Sequence, residues 1–316
     1  MPPQPLSPTA QAPSEGRVPT DRILTGLGLR LLAALCLASM AALIKLAETR
    51  GAYLVEILFF RQASAVPLVM LWLAFGPGLG TVRTQRMGAH LLRTAVGLTG
   101  MVFNFGSVML LPLAEATTIQ FTAPIFATLL GALLLKEPTG WRRWGAVVAG
   151  FIGVLVVTQP GSSHIPLFGA LVGLTAALFV AIIAILLRQI GKTESAGTTV
   201  FWFSLLSVPP LGVAYLFGLQ PHDAGTWAVL VSIGLIGGAG QLALTAALRF
   251  APVSAVVPMD YSSLIWATLY GWLLFGALPT PATWIGAPII IASGLYIAWR
   301  EHRLHREREA MLEMLG

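Results

Sequence analysis

PLAEATTIQFTAPIFATLLGALLLKEPTGWRRW, residues Pro112–Trp144, decides the fold, because a second copy follows 140 residues later as Pro252–Trp284. Without a gap, Pro112, Ile125, Ala127, Thr128, Leu129, Gly131, Leu133, Leu134 and Trp144 fall on Pro252, Ile265, Ala267, Thr268, Leu269, Gly271, Leu273, Leu274 and Trp284. Fainter echoes extend the offset. Gly97 and Gly100 fall on Gly237 and Gly240, and Pro67 lies close to register with Pro209. The chain reads as a duplication, and a repeat of this length sets the architecture before any local signal does.

Composition names the solvent. Of 316 residues, 56% are hydrophobic and 10% charged, with mean hydropathy +0.80. A soluble globule carries roughly 25% charged residues to keep its surface wetted. This chain is expected to use lipid as solvent for much of its surface. The one cysteine, Cys36, excludes an internal disulfide and any multi-cysteine metal site. The net charge of +6 is first a topology signal and not a nucleic-acid footprint.

A membrane-crossing helix needs ~20 mainly apolar residues. Ten segments qualify, at about 24–46, 53–75, 88–111, 113–135, 142–159, 167–188, 197–219, 225–248, 252–275 and 282–300. Residues 1–21, rich in Pro, Ser, Thr and Gln, read as a disordered cytoplasmic tail and not as a signal peptide. Residues 22–160 form a first repeat, 165–300 a second, and 301–316 a charged cytoplasmic end that can continue the last helix. The basic residues test this count, because cytoplasmic loops retain them. Alternate ends carry Arg17, Arg22 and Arg30, then Arg83, Arg86 and Arg93, then Lys136, Arg142 and Arg143, then Arg188 and Lys192, then Arg249, then Arg300 onward. Of the opposite loops, only the first holds a basic residue, Arg50. Both termini are therefore expected in the cytoplasm, in a multi-pass inner (plasma) membrane protein. The fold class expected is all-α, with ten transmembrane helices. Five spans per half is odd, so the two halves must face opposite ways. That gives two inverted five-helix repeats, a plan in which secondary transporters hold substrate near the midplane.

The residues also resemble a known family. Ten spans, the duplicated unit and the pattern Ala-x6-Ala-Pro-Ile-Phe-Ala-x-Leu-Leu-Gly-x-Leu-Leu-Leu-Lys-Glu over Ala116–Glu137 resemble the EamA family of drug/metabolite transporters. Arg61 and the glycines Gly145, Gly150 and Gly153 match its first repeat. The resemblance implies a transporter with a central cavity lined mainly by spans 1, 3, 4, 6, 8 and 9. It implies a small-molecule substrate such as an amino acid, a nucleobase-like metabolite, S-adenosylmethionine, riboflavin or an opine-type metallophore. One departure stands out: Gly276 is followed by Ala277 where the family usually has glutamate.

Ionisable residues inside the bilayer need a partner, water or a task. Arg61 lies ~12 Å into span 2. It either binds an anionic substrate group or pairs with Glu56 or Glu115. Asp260 lies ~12 Å into span 9 from the cytoplasmic side, and the repeat places Gln120 as its counterpart, equally deep from the other side. The two are expected to converge on the substrate, with Asn104, Gln241, Tyr261 and Trp266 lining the same cavity, and with Phe103, Phe121 and Trp202 as further aromatic candidates. Asp260 and Glu115 are the candidates for proton coupling. Glu115, with Lys45, Glu48 and Glu56, otherwise reads as a wet outer rim. Pro124 and Pro258 each remove a backbone donor and are candidate gating hinges. Pairing Arg61 with Asp260 favours an amino-acid-like or zwitterionic metabolite. No catalytic residue, cofactor or metal site is expected: the chain has no phosphate-binding Gly-Lys-Ser/Thr loop and no hydrolase constellation, and its histidines are scattered. The rivals are a membrane-embedded lipid-modifying enzyme and a non-transporting sensor. A homodimer through the peripheral spans 5 and 10 stays open, as do direction and coupling.

Overall fold

A computed structural model describes residues 20–76, 78–134, 140–159, 165–191, 193–251 and 253–315. The proposed tail before Thr20 and the Lys136-Glu137 end of the family pattern lie outside these residues. The described chain is helical throughout, with no strand. This is what an apolar solvent demands, since only a helix or a closed barrel satisfies its own backbone donors and acceptors there.

The first repeat comprises α1 (Thr20–Thr49), α2 (Leu54–Phe75), α3 (Met87–Leu110), α4 (Leu113–Gln120), α5 (Ala123–Leu134) and α6 (Trp141–Thr158). The second comprises α7 (Leu167–Ile190), α8 (Ala196–Leu216), α9 (Ala224–Phe250), α10 (Val253–Val256), α11 (Ser263–Phe275) and α12 (Pro281–Leu315). α12 continues past the last apolar segment into the charged end, as the sequence allowed. Among the described residues nine helical segments are long and apolar enough to cross a membrane. The span expected over 252–275 is not among them.

Two of the expected spans are corrected in this way: neither 113–135 nor 252–275 is one continuous helix. In the first, Pro124 has no N–H to return to the Gln120 carbonyl, so the α-helical ladder stops there. The Phe121 N–H turns back to Thr118 O at 3.1 Å and the Thr122 N–H to Ile119 O at 3.0 Å. The Thr122 hydroxyl adds a bond to Ile119 O at 2.7 Å. In the second, Pro258 opens a 3₁₀ stretch, Val257–Ser262, between α10 and α11. The Ser262 and Ser263 hydroxyls donate to Met259 O and Asp260 O, both at 2.6 Å. α11 ends at Gly276, whose φ of 63° is a left-handed cap that glycine adopts freely. The breaks fall at matching places in the two copies.

Helix contacts run mainly between the repeats. α1 packs on α9 and α3 on α7; α1 meets α11 and α5 meets α7; α2 packs on both α8 and α9. α6 packs on α12, and α4 touches α11. Exchanging the two halves turns each of these pairs except α4–α11 into another observed pair or into itself, with α3–α8 the mate of α2–α9.

The α6–α12 seam carries the same exchange at atomic detail. A Cβ at Gly150 would stand 3.3 Å from Ser293 Cβ, and one at Gly153 would stand 2.8 Å from Ile290 Cγ1. Shifted by the repeat offset, each contact becomes the other. The seam is closed further by the Ser293 hydroxyl, which donates to Ala146 O at 3.0 Å. Small residues at this spacing let membrane helices approach to backbone contact, where van der Waals packing replaces the missing hydrophobic drive.

Candidate functional site

The two helix breaks meet at a cavity of about 330 Å³. It is lined by Gln120, Phe121, Ala123, Pro124 and Ala127 from α4, α5 and the turn between them. Val180, Ala181 and Ala184 come from α7, and Asp260 and Tyr261 from the 3₁₀ stretch. Five of the residues singled out by the sequence are thus brought together: Gln120, Phe121, Pro124, Asp260 and Tyr261. Pro258 lies two residues from Asp260 in the same 3₁₀ stretch.

The walls are mostly small and apolar, with aromatic rings on one side. The Phe121 and Tyr261 rings meet edge to face, with centroids 4.8 Å apart. These two residues occupy the same position in the two copies, so the cavity lies where the duplicated halves touch. The Gln120 Nε2 atom is enclosed and has no hydrogen-bond partner. It is a donor left facing an apolar space, and such groups are costly unless something accepts from them.

Asp260 has a partner that the sequence did not suggest. Arg30 on α1 grips its carboxylate in a two-pronged bond, Nε to Oδ1 and Nη2 to Oδ2, both at 2.5 Å. The Arg30 side chain is 9% exposed and that of Asp260 39%. The geometry matches a planar guanidinium to a planar carboxylate, the strongest ordinary ion-pair arrangement. Arg30 reads in the sequence as one more cytoplasmic topology charge, and only the fold shows it reaching inward across 230 residues of separation.

Arg61 does not join the cavity, and neither carboxylate proposed as its partner reaches it. Its Nη1 donates to Gln62 Oε1 at 2.6 Å, and its Nε has no partner. Glu56 bonds instead to His222 Nε2 at 2.9 Å. Glu115 accepts from the Thr280 N–H and the Thr283 hydroxyl, each at 3.0 Å. It thereby caps the start of α12, where a helix presents free N–H groups and favours negative charge. Both glutamates are fully buried, so neither belongs to a wet rim. Lys45 makes the complementary contact, donating to Val108 O and Met109 O at the end of α3 at 3.2 and 3.1 Å. The expected rim is corrected for Glu56 and Glu115, which are buried contacts, while Lys45 and Glu48 are half-buried. Depth along a helix could be read from the sequence. The direction around it, which selects the partner, could not.

Asn104 on α3, Gln241 on α9 and Trp266 on α11 are half-buried and do not line this cavity. The Gln241 backbone carbonyl accepts from the Thr245 hydroxyl at 2.9 Å. Trp202, an aromatic candidate, is committed elsewhere: its indole N–H donates to Val82 O at 2.8 Å. The stretch Val180–Ala184 was missed because nothing separates small apolar residues of a cavity wall from helix-packing residues by type.

Comparison with known proteins gives the same two halves. The model of the EamA-like transporter family matches residues 24–159 and again residues 167–299. A riboflavin transporter of Vibrio cholerae is 31% identical over 231 residues, covering 72% of this chain and 77% of that one. An S-adenosylmethionine uptake transporter of Rickettsia felis is 28% identical, covering 91% and 97%. The pseudopaline exporter CntI of Pseudomonas aeruginosa is 26% identical, covering 86% and 95%. A solved crystal structure shares the fold, with a TM-score of 0.59 at 18% identity over 90% of this chain and 99% of that one. Two matched repeats, a helical architecture with membrane-length apolar helices and relatives that are transporters and not enzymes lead to one conclusion: the chain belongs to the EamA-like transporter family.

Proposed function

We propose that the chain is a secondary transporter that moves a metabolite with a flat heterocyclic ring through the cavity between its repeats, with riboflavin the first candidate. The observation that carries this is the cavity lining: small apolar walls, the Phe121–Tyr261 aromatic pair and one unpartnered amide donor on Gln120. Aromatic edges and faces suit a planar ring, and one placed polar group orients it. The riboflavin transporters among the relatives, at 31% and 30% identity, support the same class.

The mechanism is alternating access between two inverted five-helix repeats. The exchange-symmetric helix contacts support it, because halves with five spans each can be related that way only about an axis in the membrane plane. The hinge points are the turns at Phe121–Thr122 and at Pro258. Both termini lie in the cytoplasm, in the inner membrane, as the basic residues indicate.

A second reading keeps a zwitterionic or cationic metabolite of the amino-acid, S-adenosylmethionine or opine type. The exposed side of the Asp260 carboxylate favours it. The pairing of Arg61 with Asp260 that first suggested a zwitterion gives way to the pair with Arg30.

Thermal shift of the purified protein separates the readings, since a ligand that binds only the folded state raises its apparent stability by mass action. Riboflavin is expected to raise Tm in a concentration-dependent way, and glutamate and S-adenosylmethionine to have less effect. A shift with S-adenosylmethionine or an amino acid alone moves the assignment to the second reading. No shift with any of them refutes both.

A further inference from the structure

A buried guanidinium, that of Arg61, and a half-buried one, that of Arg93, stand on adjoining helices without an acid to neutralise them. Arg61 on α2 is 7% exposed, and its only hydrogen bond is to the neutral Gln62. Gln62 in turn points its Nε2 at Met101 Sδ on α3, 3.6 Å away. Arg93, also on α3, lays its guanidinium over the Phe203 ring at 4.3 Å, and its Nε and Nη1 are enclosed without a partner. That guanidinium occupies the space where Gly97 lacks a side chain; a Cβ there would collide with Arg93 Nη1. Gly97 and Met101 are one turn apart, about 6 Å of rise, so Arg93 and the Gln62 amide that Arg61 holds lie against the same face of α3.

Four acids of the described bundle are engaged elsewhere. Glu56 holds His222, Glu115 caps α12, Asp260 holds Arg30, and Glu194 accepts from Thr84. Among the described residues no carboxylate pairs with Arg61 or Arg93. Two like charges away from water repel each other, and each loses its hydration; a buried cation persists when an anion offsets it.

We infer that Arg61 and Arg93 form an anion site, separate from the cavity at Gln120 and Asp260, that takes a carboxylate or phosphate group. Arginine is suited to this because its planar fork matches an oxyanion in two-point contact, and its weak hydration makes burial less costly than for lysine. Arg61 has Nε free and Arg93 has Nε and Nη1 free, so donors from both can converge on one oxyanion. The aromatic face of Phe203 holds Arg93 in place from behind. The ligand is either a free anion or an anionic group borne by a transported molecule; the chemistry at the guanidiniums is the same.

The test is thermal shift of the full chain in neutral detergent, with inorganic phosphate, acetate and chloride as separate probes at matched ionic strength. Riboflavin and its 5′-phosphate form a second arm. Phosphate or acetate is expected to raise Tm of the wild type more than chloride does, which identifies a free oxyanion as ligand. If only riboflavin 5′-phosphate raises Tm above riboflavin, the oxyanion is one carried by a larger molecule, and the site stands. In either arm the gain is lost in Arg93→Gln and in Arg61→Gln and retained in Arg50→Gln, a change on an exposed loop. Should Arg61→Gln not fold, Arg61→Lys keeps the charge but loses the fork, and its gain is expected to be smaller than that of the wild type. No oxyanion-dependent gain in either arm, a chloride gain as large as that of phosphate, or a gain that survives both arginine changes overturns the site. None of these outcomes depends on whether riboflavin itself binds at Gln120.

Discussion

Breaking the Arg30–Asp260 pair from one side is not equivalent to breaking it from the other. The pair is two-pronged and asymmetric in exposure, with Arg30 at 9% and Asp260 at 39%. Asp260→Asn keeps the shape and removes the anion, leaving an enclosed guanidinium uncompensated. Loss of one partner of a buried pair costs about 3–5 kcal/mol. Arg30→Gln leaves the carboxylate instead, which still reaches the cavity and can be hydrated there. Exposed pairs contribute about 0–1 kcal/mol, so this half-exposed case is expected to cost about 1–2 kcal/mol. The double variant removes both charges and is expected to be no worse than Asp260→Asn alone. The assay is equilibrium unfolding in mixed micelles for the wild type, both single variants and the double, at one ionic strength. The coupling energy of the cycle should then be about 1–3 kcal/mol, as it is for residues in direct contact. Equal costs for the two single changes, with a double variant equal to their sum, would refute the ion pair as described.

Four further outcomes follow, from two close contacts, one open position and one cap. A Cβ at Gly294 on α12 would run into Tyr261 Oη, so Gly294→Ala should displace that ring from the cavity wall. Its effect should appear as a several-fold rise in KM for transport with Tm nearly unchanged. At Gly286 the added methyl would stand 2.5 Å from Val157 Cγ2 and 2.7 Å from the Gly153 carbonyl, which is backbone and cannot turn aside. Gly286→Ala should therefore cost about 1–3 kcal/mol by unfolding, in the range of an overpacked core. Gly145→Ala on α6, with nothing within 4 Å, should be neutral or gain about 0.5–1 kcal/mol of helix propensity. At the start of α9, outside the membrane, the Thr226 hydroxyl and the N–H groups of Thr226 and Gly225 hold the Asp223 carboxyl below the usual carboxylate range. A folded-state value below the unfolded one stabilises above the ordinary carboxylate pKa and is lost as pH falls through the depressed value. Asp223→Asn, which keeps capping ability without the charge, should flatten Tm against pH at that acidic end alone.

What the sequence discloses is set by which forces leave a periodic mark. The spans were legible because lipid requires ~20 apolar residues in a row, and the basic residues at alternate ends fixed their order. Gln120 and Asp260 could be expected in one cavity because the repeat offset makes them counterparts. The interruptions at Phe121–Thr122 and Val257–Ser262 were not legible as breaks: hydropathy does not register a missing N–H, and Pro124 and Pro258 marked only that something gives there. The partner of Asp260 was hidden for a different reason. Arg30 already satisfies the topology rule as a cytoplasmic charge, and no local pattern connects residues 230 positions apart. Glu115 was misjudged because its depth near the membrane surface suggests water, whereas the start of α12 folds back over it and supplies donors. The arginine cluster likewise needs the packing of α2, α3 and α8 to appear, since Arg93 in sequence is one of a row of cytoplasmic charges.

The account rests on a substrate seat where the two broken helices meet, and the most direct measurement is flux. Purified protein in liposomes, assayed with radiolabelled riboflavin, should show saturable uptake. Gln120→Ala or Tyr261→Ala should lower kcat/KM about tenfold or more, about 1.4 kcal/mol of transition-state binding. Saturable flux that both changes leave untouched, or no flux of riboflavin, S-adenosylmethionine, an amino acid or an opine, would contradict it.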